Sequence, residues 1–220
     1  MDLLLLLQLS DSAFPGGGFT HSGGLEAAVH HGEARTPEDV DRIARMAVRQ
    51  AGCGALPFLI AAHRDRADLP RLDARIDLFL NQPVSNRASR AQGLALLNTA
   101  AQVFTGPAVR RLAEGVAANR LHGHHAPIFG ALLGGLSLDA DAAGRLFLYQ
   151  SARGVISSAV RMGVIGMFDG QRIQCAIGDE ITRTLDECRD RPVEDATQTA
   201  PVLDLYQSTH DRLYSRLFQS

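Results

Sequence analysis

The chain has 220 residues, with 24 Asp plus Glu against 22 Lys plus Arg and a formal charge of −2, so it carries no electrostatic footprint for nucleic acid or an anionic membrane. All 22 of those basic side chains are arginine; the complete absence of lysine excludes P-loop nucleotide hydrolysis, kinase chemistry and Schiff-base mechanisms. Apolar residues make up 45% and aromatic ones 5%, a composition for a helical protein, and Cys53, Cys175 and Cys188 share no spacing for a disulfide framework or a four-thiolate zinc site, which fits a reduced, cytoplasmic setting.

The opening MDLLLLLQLS has no positive region before its leucines, carries Asp2 instead, and is too short to span a bilayer. It predicts a short apolar first helix that docks on something. A Phe-Pro-Gly-Gly-Gly-Phe turn follows, then a second helix expected to open at Thr20, His21 and Ser22 and to end at His30 and His31, cations suited to a helix C-terminus. Three successive glycines lose much backbone entropy on ordering. Either the backbone there runs close against another element or the turn is a surface held for a partner. It is not a phosphate cradle, because no Lys-Ser/Thr pair follows and His21 stands where a dinucleotide fingerprint needs glycine.

From Thr36 to Ala51 a helix start is written out: Thr36 as N-cap, Pro37 at the first position, Glu38 and Asp39 near the positive end, then an apolar stripe of Val40, Ile43, Ala44, Ala47 and Val48. Further helices are predicted over Leu56–Ala67, Leu69–Leu80, Val84–Phe104 as a central helix, Pro107–Asn119, Ala126–Leu136 and Leu138–Met162. The last of these interleaves small residues with large ones and reads as the most buried segment. One helix is expected from Asp169 past Leu185, a polar surface loop over Arg189–Pro201, and a closing helix and tail over Leu203–Phe218. No run alternates with a period of two, so the fold class is all-α: a single domain, 1–220, of about ten helices.

Chemistry is sparse. His122, His124 and His125 are the best candidate metal ligands, but no carboxylate or Cys lies close in sequence to complete a shell; a structural or surface role stands beside ligation, and metal-dependent catalysis on this cluster is the rival function. No Gly-x-Ser-x-Gly elbow occurs, and Cys53 reads as a structural thiol. The end of the chain, HDRLYSRLFQS, places Leu213, Tyr214, Leu217 and Phe218 beside Arg212 and Arg216, a mixture typical of interfaces, against the alternative of a last helix packing on its own core.

LLQLSDSAFPGGGFTHSGGLE, SNRASRAQGLALL, HHAPIFGALLGGLSL, LYQSARGVISSAVRMGVIGMFDGQRI and HDRLYSRLFQS, in this order over nearly the whole chain, resemble the urease accessory protein UreF family. The resemblance implies an all-α, homodimeric cytoplasmic scaffold that is not an enzyme and needs no cofactor. It implies action in nickel insertion into apo-urease, bridging the accessory protein UreD or UreH and the GTPase UreG, with a GTPase-regulating role also proposed for the family. By position, the partner-binding residues are Phe19, His21, Tyr214, Arg216, Leu217 and Phe218. Phe19 stands where relatives often carry Tyr, so a phenol bond to Arg216 is ruled out, and Arg216 is expected to brace the Gly-rich turn or a partner's backbone.

Overall fold

The computed structural model describes residues 3–118 and 120–219. The first two positions of the predicted opening helix and the predicted end of the 107–119 helix lie outside them. The described residues form twelve α-helices and no strand: α1 Leu3–Ser10, α2 Leu25–His30, α3 Pro37–Gln50, α4 Leu56–Arg64, α5 Leu69–Phe79, α6 Pro83–Val103, α7 Pro107–Ala117, α8 His125–Gly135, α9 Ala140–Arg161, α10 Met167–Ala176, α11 Gly178–Cys188 and α12 Pro201–His210. No helix among them is long and apolar enough to cross a membrane.

The α3 start forms as its residues dictate: Thr36 Oγ1 accepts from the Asp39 amide at 3.2 Å, and the Asp39 carboxylate accepts from the Thr36 amide at 3.1 Å. The α9 start is capped by Asp139, which accepts from the Ala142 amide at 2.8 Å. The centre is the pair α4 and α8, the most extensive helix contact, rather than α6 or α9. Every residue of α8 from Ala126 to Leu133 is buried, whereas the long α9 keeps one flank in water. Gly130 makes this possible, because a Cβ there would run into the Leu59 carbonyl oxygen of α4. Helix α9 lies across α3, α6 and α7 flank α8, and α10 and α11 close over α9. Between α3 and α4 the chain takes a π turn, Ala51–Ala55, which the sequence pattern did not announce.

Three expected elements differ. The second helix does not open at Thr20: Gly18–Thr20 is one 3-10 turn, and Gly23 and Gly24 take φ of 63° and 93°, left-handed values that interrupt a right-handed helix until Leu25. The segment from Asp169 past Leu185 is two helices broken at Ile177, just before Gly178, a poor helix former; the break leaves Ile173, Ile177, Ile181 and Leu185 all buried. The closing helix ends at His210, and residues 211–219 are turn and extended chain. The Arg212 and Leu213 amides still bond back to the Thr209 and His210 carbonyls of α12, whereas those of Leu217, Phe218 and Gln219 are captured by groups outside that helix.

Candidate functional site

The Gly-rich turn is packed against α6. Gly17 has φ 82°, and a Cβ on it would lie 2.8 Å from the Ala95 Cβ and 3.1 Å from the Gln92 Cα. Thr99 Oγ1 donates to the Pro15 carbonyl at 2.9 Å. Close approach to another element therefore explains why glycine stands at Gly17. The turn in turn presents Phe19, 63% exposed, at the surface.

Residues 211–219 fold back onto this turn. The organiser is Glu26, in the first turn of α2 and itself buried. Its Oε1 accepts from the Leu217 amide at 2.5 Å, and its Oε2 accepts from the Phe218 amide at 3.2 Å and lies 3.0 Å from His210 Nε2. The Gln219 amide donates to the Thr20 carbonyl at 2.8 Å. A charged acceptor shared by two amides and an imidazole is worth more than neutral bonds would be. It fixes Leu217 and Phe218 in a non-helical course beyond the end of α12 and ties them to His210 at that end.

A second fastener comes from the end of α9. Arg161 stacks its guanidinium carbon 3.6 Å from the Phe19 ring centroid and 4.5 Å from that of Phe218, and donates to the Phe19 carbonyl. Arg161 thus joins the turn to the tail, the position expected for Arg216. Arg216 instead meets Asp211, Nη1 to Oδ1 at 3.4 Å, half-exposed on the outer side. Of the six residues singled out from sequence, Phe19, Tyr214, Arg216 and Leu217 are exposed, while Phe218 and His21 are buried and lie beneath that surface. Tyr214 is fully exposed.

His21 is pushed down to about 4, first by burial and second by the charge of His210; His125 is likewise pushed down to about 4 by burial and then by His21. Both are neutral in the fold near pH 7, whereas an unfolded histidine titrates near 6.5. Folded values below unfolded ones mean that their contribution is complete above pH 6.5 and is lost as pH falls toward 4. The thermal midpoint is expected to drop steeply across that window, each ring contributing up to about 3 kcal/mol. A His21→Asn, His125→Leu double variant should show a flatter profile, and an equally steep one would place the titration elsewhere.

The three histidines of the candidate metal cluster have different surroundings, although the His122 and His124 rings lie 6.2 Å apart, centroid to centroid. His124 is fully buried, with Nδ1 3.1 Å from Ser89 Oγ and Nε2 2.9 Å from Asp77 Oδ1, so both ring nitrogens are engaged. The His125 ring packs against Phe129 and Phe147 at 5.4 and 5.5 Å, and His122 is exposed. Burial lowers the His124 pKa against the opposing pull of Asp77, while bonds from Asn86 and then His124 lower that of Asp77. The loop hangs on Asp73 of α5, fully buried, whose carboxylate accepts from the amides of His122, Gly123 at 3.2 Å and His124 at 2.8 Å. Among the described residues no group of three His, Cys, Asp or Glu side chains is disposed to hold a metal.

The turn, the tail and the end of α9 therefore assemble one surface of exposed aromatic, aliphatic and arginine side chains on buried polar supports. The sequence profile of the family described as UreF matches residues 34–178. "Urease accessory protein F" of Oryza sativa subsp. indica is 37% identical over 96% of this chain and 82% of its own length, and the protein of the same description in Arabidopsis thaliana is 35% identical over 97% and 90%. "Urease accessory protein UreF" of Trichodesmium erythraeum is 28% identical over 98% and 95%. An all-α chain matched along its length by these relatives, with the UreF profile covering its core helices, belongs to the UreF family of urease accessory proteins.

Proposed function

We propose that this chain is a non-enzymatic, cytoplasmic adaptor of urease maturation, working as a single 1–220 unit and as a homodimer. It bridges the UreD or UreH accessory protein and the GTPase UreG while nickel enters apo-urease, and regulation of that GTPase belongs to the same role. Phe19, Tyr214, Arg216 and Leu217 make the contact, and His21 and Phe218 act from beneath. The observation that carries this reading is the Phe19–Arg161–Phe218 stack, which fuses the Gly-rich turn and the tail into one presented surface.

The test is co-purification from cells carrying a complete urease gene cluster, read together with urease activity. Arg161→Ala removes two ring contacts and a bond to the Phe19 carbonyl; assembly with UreD or UreG should weaken by about 1 to 3 kcal/mol, roughly fivefold to 150-fold in Kd. Arg161→Lys should recover little, since an ammonium cannot stack as a planar group does. Normal assembly and normal activation by the alanine variant would overturn the reading.

A further inference from the structure

Away from the tail surface, Cys53 Sγ and Cys188 Sγ lie 3.7 Å apart, although 135 residues separate them in sequence, and both are free thiols. Their approach is built into the fold. Cys53 sits in the π turn between Gly52 and Gly54. A Cβ on Gly52 would strike Thr184 of α11, and one on Gly54 would come within 3.3 Å of Phe79 and of the Thr197 carbonyl. These bare positions let α11 and the 189–200 strap press directly on the turn. The Cys53 carbonyl accepts from the Thr197 amide at 3.0 Å, and the Cys188 carbonyl from the Arg191 amide at 3.1 Å, so both cysteines lie at the root of the strap. No third ligand joins them into a metal site among the described residues.

The two thiols are unequal. Cys53 is part-exposed, whereas Cys188 is buried at the end of α11, and burial followed by its bond to Cys53 pushes its thiol up to about 11. Cys53 is therefore the sulfur an oxidant reaches, and Cys188 the one that resolves the product.

We infer that Cys53 and Cys188 are a modification site, a dithiol that a peroxide converts into an intramolecular disulfide. The Cys53 thiolate attacks one peroxide oxygen; the S–O bond forms, the O–O bond breaks, and the departing hydroxide takes up the proton that Cys53 released, giving a sulfenic acid and one water. The Cys188 sulfur then displaces the sulfenic oxygen; the S–S bond forms, the S–O bond breaks, and the Cys188 proton leaves with that oxygen as a second water. The two sulfurs lose two electrons in all, and the peroxide gains them. Bonding distance requires the sulfurs to close by about 1.7 Å. The product closes a long loop and ties the π turn to α11, which restricts the unfolded chain more than the folded one.

The experiment treats the reduced full-length chain with hydrogen peroxide, traps remaining thiols with maleimide under denaturing conditions, and maps tryptic peptides by mass. The expected product is a Cys53–Cys188 cross-linked peptide, with the exposed Cys175 carrying maleimide. The thermal midpoint should rise by several degrees and fall back with dithiothreitol. Cys53→Ser abolishes both effects and Cys175→Ser neither; if Cys188→Ser fails to fold, the wild-type map and Cys53→Ser still decide. Sulfinic acid at Cys53 with Cys188 free, or only Cys175-linked dimers, would overturn the assignment.

Discussion

Asp73→Ala should cost roughly 3 to 5 kcal/mol of folding stability, the loss typical of stripping the charged partner from a buried polar cluster. Three successive amides, of His122, Gly123 and His124, are left without their acceptor, and the approach of α6 to the loop gives them no replacement. Gly93 of α6 is packed so tightly there that a Cβ would meet the Gly123 carbonyl oxygen. Asp73→Asn keeps one acceptor oxygen and should lose less. Asp190→Ala, which removes an ion pair with Arg64 exposed on both sides, should be nearly neutral. Urea unfolding monitored by circular dichroism makes the measurement. A loss below about 1 kcal/mol for the alanine variant would show that the histidine loop is held by other contacts.

Glu26→Ala has the second large effect, on the tail rather than on the core. Without the carboxylate the Leu217 and Phe218 amides and His210 lose their common partner, and residues 211–219 should detach. Arg212 and Arg216 then become trypsin sites in a loose strand; cleavage there should accelerate tenfold or more while the helical core stays intact. Capture of the UreD-type partner should fall by at least tenfold, the equivalent of a single charged hydrogen bond. Glu26→Gln should be intermediate, since a carboxamide has one acceptor oxygen where the carboxylate has two. Unchanged cleavage in the alanine variant would mean that the Phe218 ring contact, the Gln219 amide and the Arg87–Asp211 ion pair hold the tail without the carboxylate.

The helices were legible where local chemistry decides them. Thr36, Pro37 and Asp39 write the α3 start in adjacent letters, and the structure forms it there. What was not legible is set by groups brought from far along the chain. The carboxylates that hold the histidine loop, Asp73 and Asp77, lie on α5, and nothing near His122 announces them. Glu26 reads as one more acidic residue in a helix's first turn, and Arg161 as the last cation of a long helix. Their roles exist only once α2, α9 and the tail have met. The tail looked helical because Leu213, Leu217 and the arginines recur at helical spacing, but a buried carboxylate competes for the amides that a helix would use. The prediction of a central α6 failed for a related reason: of the apolar positions that recur along it, Ala91 and Ala101 end in solvent, while the uniformly apolar α8 takes the centre.

The stack of Phe19, Arg161 and Phe218 draws on the beginning, middle and end of the chain. During synthesis the presented surface cannot exist until residue 218 has left the ribosome, however early the core helices fold. A nascent chain that stops short of Phe218 can therefore have its core helices folded and still lack this surface, so that folding of the core and completion of the surface are separate events in time.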